Sequence, residues 1–285
     1  MLKGVGLGLR MLNWIAPDAA SRRAADVFLT PRRMRRPARE ERWAEKAVRE
    51  VRDVGGRTIV TWSWGEGEPI LLIHGWEGRA SQLAAFADSA HGSGFRWIGV
   101  DLPAHGDSPG RQTNLIEIAE VIRGLIETID PLGIVAHSFG AAGASVALQD
   151  AVFRGSLVFI APPEDFNFFT DVFGAMLGIP ADLAKRMQGE IEERLDVDWS
   201  TLRGTELART MGAPLLVIHD EEDFDVPHRF GRAIAESWPS ARLLTTRGLG
   251  HRRVLRDESV IQTAIDFMRA SSELTVPVNS PSIVR

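Results

Sequence analysis

The chain contains no cysteine and no tyrosine. The first absence excludes a disulfide framework, a thiolate metal site and a cysteine nucleophile. The second excludes any mechanism that needs a phenol as acid or electrophile. No apolar run reaches the roughly 18 residues needed to span a bilayer, and nothing repeats or falls into low complexity. Neither sign of charge dominates: 33 Lys and Arg against 38 Asp and Glu leave a net charge of −5, which gives no reason to expect nucleic-acid binding. What remains is 285 residues, 44% of them apolar, enough for one large core or two modest ones.

The first sixteen residues carry Lys3 and then run through Gly, Val, Leu and Trp. Arg10 interrupts the apolar stretch and no small-residue cleavage site follows, so a secretory signal is disfavoured. The segment is read as a helix packed on the domain or lying on a membrane surface. Residues 31–39 hold five arginines, four of them between Pro31 and Pro37, and are expected to form a solvated connector rather than a binding site for acidic partners. Residues 1–46 thus form a helical and basic extension, 47–270 the main domain and 271–285 a tail. The expected location is cytoplasmic.

From about Ala47 the pattern changes. Val48, Val51 and Val54 lead to Gly55-Gly56 and then to Thr58–Trp62, a hairpin signal. Short apolar runs follow at 70–73, 97–100, 133–136, 157–160, 215–218 and 241–244, alternating with helical stretches near 79–91, 115–129, 139–152, 227–237 and 256–270. Buried strands alternating with helices imply a mostly parallel sheet with helices on both faces and an antiparallel hairpin at one edge. Such sheets bind ligands beyond the carboxyl ends of their strands. The notable polar residues fall there: His74-Gly75-Trp76, Asp101, Ser138, the acidic run Asp220–Asp223, and Gly248-Leu249-Gly250-His251.

Ser138 ends an apolar strand, begins a helical stretch, and has Ala136 and Gly140 two positions to either side. A strained strand-to-helix corner requires small residues at those positions, whereas a plain helix N-cap does not. Ser138 is therefore read as a nucleophile, which needs a base to accept its proton and a third group to orient that base. Of seven histidines, His74 and His137 sit in tight loops as space-filling rings, His105 lies in a turn, His91 near a helix end and His228 at a helix start. His251 follows a Gly-Leu-Gly loop that can aim its ring and is taken as the base. Asp220, Glu221, Glu222, Asp223 and Asp225 crowd one loop with His219 and His228. So many potential ligands in a short loop rarely converge, so no metal is expected. Oxyanion donors are expected from the backbone N–H of Phe139 and from that of Trp76.

These residues resemble the α/β-hydrolase superfamily from about residue 57 to 270. Ala136-His137-Ser138-Phe139-Gly140 is similar to its nucleophile elbow, with Ala for the usual first Gly, and the Ser-acid-His order is that of this fold. His74-Gly75-Trp76 resembles its oxyanion loop, Asp101–Ser108 its following turn (again with Ala for Gly), and Gly250-His251 its histidine loop. Asp223-Phe224-Asp225-Val226-Pro227 resembles the acid loop, in which an aspartate stands three residues before Val-Pro; this alignment selects Asp223. The resemblance implies an α/β-hydrolase fold with about eight strands and a short helical lid at about 163–212. It implies a catalytic set of Ser138, Asp223 and His251, and no cofactor. It further implies a small-molecule ester as substrate, with an acyl-enzyme intermediate. Thioesters, carbon–carbon bonds, haloperoxidation and acyl transfer use the same set, and a non-catalytic binding protein on this fold is the alternative of another class. The serine sets the chain apart from relatives with an aspartate nucleophile. In the lid, Phe166, Phe169, Phe173, Met176 and Leu177 form one helical stripe and Phe168, Val172 and Ile179 another. Phe166, Phe169 and Phe173 are expected either to roof a hydrophobic acyl pocket or to serve as simple core. The oligomeric state is not legible.

Overall fold

The computed structural model describes residues 2–89, 94–149 and 151–275. His91 and residues 276–285 of the expected tail lie outside them. Eight strands form one sheet in the order β1-β2-β4-β3-β5-β6-β7-β8. Three helices, α1 (Leu2–Ile15), α2 (Pro17–Phe28) and α3 (Ala38–Glu45), precede the hairpin of β1 (Val48–Val54) and β2 (Arg57–Trp64). Then come β3 (Glu68–Ile73), a 3-10 turn at Ala80–Leu83, the short α4 (Ala85–Ser89), β4 (Phe95–Asp101), α5 (Leu115–Ile129), β5 (Gly133–His137), α6 (Phe139–Leu148) and β6 (Ser156–Ile160). An insertion of α7 (Asn167–Leu177), α8 (Ala181–Leu195) and α9 (Gly204–Ala208) leads to β7 (Leu215–Asp220), α10 (His228–Ser237), β8 (Ala241–Thr246), α11 (Gly250–Arg253) and α12 (Glu258–Thr275). The pairs β1–β2 and β2–β4 are antiparallel and the rest are parallel.

The continuous apolar runs are explained by burial of both faces. Leu71, Ile73, Ile134, Leu157, Phe159, Leu215 and Val217 point to one core with α5, α6 and α10. The intervening Ile70, Leu72, Val135, Val158, Leu216 and Ile218 point to the other, with α4 and α12. The run at 241–244 departs from this expectation. As β8 it pairs with β7 alone, at the edge of the sheet, and its residues are half-buried or exposed. The single helix expected at 79–91 is likewise split into the 3-10 turn and α4. Among the described residues no helix is long and apolar enough to cross a membrane.

The N-terminal extension packs on the insertion. Helix α2 lies along α8 and α1 crosses α7, so closely that a side-chain carbon on Gly6 would overlap the Leu177 carbonyl. Arg194 pairs with Asp26 at 2.8 Å, and Phe28 meets Phe173 edge-to-face at 5.1 Å.

The arginine-rich segment is mostly exposed, as a solvated connector would be, yet the guanidiniums of Arg32, Arg33 and Arg36 are engaged. Arg33 donates to the carbonyls of Ala104, Gly106, Ser108 and Gly110. Arg32 binds both carboxylate oxygens of Glu77 at 2.7 Å, and Arg36 reaches Asp107 and lies over the Trp62 ring. Downstream, Glu40 is buried with Arg79: Arg79 Nε donates to Glu40 Oε2 at 2.6 Å and Ser81 Oγ to the same atom at 3.0 Å. Sequence pattern missed these pairings because their partners lie dozens of residues away.

Removing one partner of a buried ion pair leaves the other charge uncompensated, which costs about 3–5 kcal/mol. Glu40→Ala is therefore expected to lower the thermal unfolding midpoint sharply, measured by circular dichroism. Arg32→Ala, whose ion pair is largely exposed, should cost about 1 kcal/mol or less. Equal effects would contradict this ranking.

Candidate active site

The carboxyl ends of β3, β5, β7 and β8 bring the motif loops to one edge of the sheet. Ser138 stands between β5 and α6 with φ 52° and ψ −123°, a conformation that costs a non-glycine residue about 1–3 kcal/mol. The surroundings impose it. Ser138 N–H donates to Ile160 O at 2.9 Å, and Ser138 O accepts from Ala141 N–H at 2.9 Å. A side-chain carbon on Gly140 would fall 2.4 Å from the His74 carbonyl oxygen and 2.9 Å from that of Ile73, which is why position 140 must be bare. Ser138 itself is buried.

The loop after β3 lies against the serine: a side-chain carbon on Gly75 would come within 3.0 Å of Ser138 Cβ. Within this loop the Gly75 carbonyl accepts from His74 Nδ1 at 2.7 Å and from Gly78 N–H at 3.0 Å. Carbonyl and amide point opposite ways in a trans peptide, so the Trp76 N–H faces out of the loop. Phe139 opens α6, and its amide is among those a helix N-terminus leaves without an intrahelical partner. The Trp76 and Phe139 rings meet edge-to-face at 5.3 Å.

His105, expected only to sit in a turn, supports this loop. Its Nε2 accepts from the Glu77 N–H at 2.9 Å, and its Nδ1 donates to Pro103 O at 2.9 Å. Burial pushes its pKa down to about 4, so it is neutral and able to accept. His74 is used alike, accepting from Leu102 N–H at 3.1 Å, and burial holds it well below the ordinary imidazole range. Asp101 Oδ1 accepts from Ala80 N–H at 2.8 Å, and its Oδ2 from Trp62 Nε1 and Asp107 N–H. Burial raises its pKa. Ala104, standing where the family pattern has glycine, adopts φ 61° under the Arg33 guanidinium.

His251 Nδ1 donates to Asp223 Oδ2 at 2.7 Å. The other Asp223 oxygen accepts from Asp225 N–H at 2.9 Å and Val226 N–H at 2.8 Å. His137, the residue before Ser138, packs against the same imidazole. Its ring centroid is 4.5 Å from that of His251, and its Nε2 donates to the His251 carbonyl at 3.0 Å. Ser138, His251 and Asp223 thus stand on adjoining loops. Three neighbouring acids are otherwise employed. Asp220 accepts from Thr246 Oγ1 and Leu249 N–H, Glu221 pairs with Arg247, and Asp225 faces Arg252 at 3.6 Å.

His219, which sequence reasoning grouped with possible metal ligands, is fully buried beside the aspartate. Its Nε2 donates to Val226 O at 3.0 Å and lies 3.5 Å from Asp223 Oδ2. Only its place at the end of β7, four residues before Asp223, hinted at this contact. Burial opposes ionisation of Asp223, but the bonds from His219, His251 and the Val226 amide outweigh it and hold the carboxylate well below its ordinary range.

Among the predicted pocket residues, Phe166 and Phe169 sit edge-to-face with Phe139 at 6.0 and 6.4 Å. Phe173 turns to Phe28 of α2 instead, while Met176 is exposed and Leu177 buried. The stripe thus divides between the serine's neighbour and the N-terminal helices.

Strand order, connections and loop placement are those of an α/β-hydrolase. Residues 70–263 match the α/β-hydrolase family, and the chain belongs to it. Over 247 residues the chain is 23% identical to Protein ABHD12B of Homo sapiens, covering 79% of this chain and 63% of the relative; it therefore spans less than two thirds of that protein. Among solved structures it is similar to a putative lipase (Lip1) from Acinetobacter baumannii AYE, with TM-score 0.65 and 19% identity over 83% of this chain and 95% of that one. It is also similar to the esterase EaEST from Exiguobacterium antarcticum, with TM-score 0.63 and 18% identity over 78% and 100%. At such identities these likenesses establish the fold alone.

A carboxylate whose pKa is depressed on folding stabilises the native state above its reference value of about 4, and that contribution is lost as pH falls through the lower folded-state value. The stability gap between wild type and Asp223→Asn, measured by denaturant titration, should be widest near neutral pH and narrow below about pH 4. A gap that stays constant would contradict the assigned hydrogen bonds.

Proposed function

We propose that this hydrolase cleaves carboxylic esters through an acyl-enzyme formed on Ser138. The observation that carries the reading is the 2.7 Å bond from His251 Nδ1 to Asp223. It fixes the tautomer with Nε2 bare and able to take a proton, on a ring 4.5 Å from that of His137, the residue before a serine held in the strained corner conformation. In the proposed reaction His251 Nε2 takes the Ser138 proton as Oγ attacks the ester carbonyl. The negative charge developing on the carbonyl oxygen is met by the amides of Phe139 and Trp76. His251 then returns the proton to the departing alcohol, and water, activated by the same imidazole, releases the acid. Asp223 remains ionised, orienting the ring and stabilising the imidazolium. Neither cofactor nor metal enters this scheme.

Phe166 and Phe169, beside Phe139, supply an apolar wall, which favours a hydrophobic acyl or aryl group on a small-molecule ester. In this reading residues 163–212 act as the lid of the hydrolase domain.

Ser138→Ala should fold normally, lose turnover of p-nitrophenyl esters and lose labelling by a fluorophosphonate. Losses on the order of 10⁴ to 10⁶ are expected for removal of a triad member. Asp223→Asn should lower turnover by on the order of 10⁴, whereas Asp225→Asn, whose carboxylate is exposed beside Arg252, should change it little. Retained turnover and labelling in Ser138→Ala would end the proposal.

The divided stripe yields a second test. Phe169→Ala should alter the preference among esters of graded chain length by about tenfold or more, since an apolar contact contributes roughly 1–3 kcal/mol to discrimination. Phe173→Ala should lower the melting temperature through its lost packing on Phe28 and leave the preference profile flat. The opposite pattern would place the acyl group against α2.

A further inference from the structure

Helix α1 is apolar on two opposite sides. One side, carrying Gly6 and Leu9 with Val5 and Leu12, is packed on the protein. The other presents Leu7, Met11, Trp14 and Ile15 at helical spacing, with Trp14 88% and Ile15 74% exposed. Val172 and Met176 of α7, a helix in contact with α1, are exposed too. Singly exposed apolar side chains are ordinary, but four along one side of a helix, with two more exposed on a helix it touches, mark a surface with a partner.

The charges indicate which partner. Helix α1 contains no acidic residue, and its two charges are Lys3 and Arg10. Arg10 is exposed, and among the described residues its guanidinium bonds only to the Gly178 carbonyl, with no carboxylate to neutralise it. Asp171 of α7 lines a cavity with Asn167, Lys185 and Gln188. A second copy of the chain docked on this face by a two-fold axis would present the same patch, whose helix offers no carboxylate to Arg10. An anionic surface would compensate Arg10 while the apolar stripe entered the acyl boundary, and a tryptophan at the stripe's end suits that interface.

We infer that α1, flanked by Val172 and Met176, docks this protein on the surface of an anionic lipid bilayer. The helix lies in the plane of the interface with Leu7, Met11, Trp14 and Ile15 inserted and Arg10 at the headgroups. The inference does not depend on the chemistry at Ser138.

The test is co-sedimentation of the full chain with vesicles of phosphatidylcholine alone and of phosphatidylcholine mixed with phosphatidylglycerol. The chain should pellet with the mixed vesicles, less with the neutral ones, and less again as salt is raised. Met11→Ser with Trp14→Ser should lower the vesicle partition coefficient by about tenfold or more, with an unchanged circular-dichroism spectrum. Should that variant misfold, Trp14→Phe serves instead. It should still pellet, while quenching of tryptophan fluorescence by brominated lipid, strong in the wild type, should fall. Failure to pellet with either vesicle would overturn the proposal, as would quenching unchanged in Trp14→Phe. A concentration-dependent dimer that the double variant returns to monomer would assign the face to a second copy and equally overturn it.

Discussion

The corner at Ser138 is the constraint on which the other loops depend. Strand β5 must stop and α6 begin within one residue, and the backbone reaches that geometry only at a φ that side-chain-bearing residues avoid. Three contacts hold it: the Ser138 N–H on Ile160 of β6, the Ala141 amide on the Ser138 carbonyl, and Gly140 pressed against the carbonyls that end β3. The last contact draws the loop after β3 onto the serine. His137, one residue upstream, catches the His251 carbonyl and brings in the loop after β8. A single strained residue thereby sets the spacing of loops from three strands.

Polar groups around this corner are kept neutral or paired according to their task. His74 and His105 are desolvated, stay uncharged and use a bare nitrogen to accept backbone amides of the surrounding loops. Asp223 is also buried, yet two imidazoles and two amides surround it, so the ionised form is favoured despite desolvation. Burial pushes histidines and carboxylates alike toward neutrality. The two imidazoles facing Asp223, with the Val226 amide, reverse the outcome there.

The N-terminal extension is built into the molecule. Arg32, Arg33 and Glu40 fasten it to Glu77, to the carbonyls of 104–110 and to Arg79, in the loops that follow β3 and β4. Its first two helices cover α7 and α8, which explains why the insertion is apolar on more than one side. One side of α7 faces Phe139 through Phe169, and another accepts Phe28 on Phe173.

The doubly wound sheet, its antiparallel edge, and Ser138, Asp223 and His251 as the candidate residues were all legible in the order of residues. Each rests on a local rule. Four-residue apolar runs mark strands covered on both faces, small residues at 136 and 140 mark the elbow, and resemblance selected Asp223 three residues before Val-Pro. Tertiary structure decided the rest. That β8 is an exposed edge follows from having one neighbour, which no run of four residues encodes. The separation of Phe173 from Phe169 follows from the arrival of α2, about 145 positions earlier in the chain. His219 became a partner of Asp223, and Arg32 of Glu77, because the loops carrying them were brought together by the sheet. Local pattern specifies elements, since periodicity and turn chemistry act over a few residues. Pairings of charge and aromatic rings act through space, and the chain records them only at positions too far apart for any local rule to join.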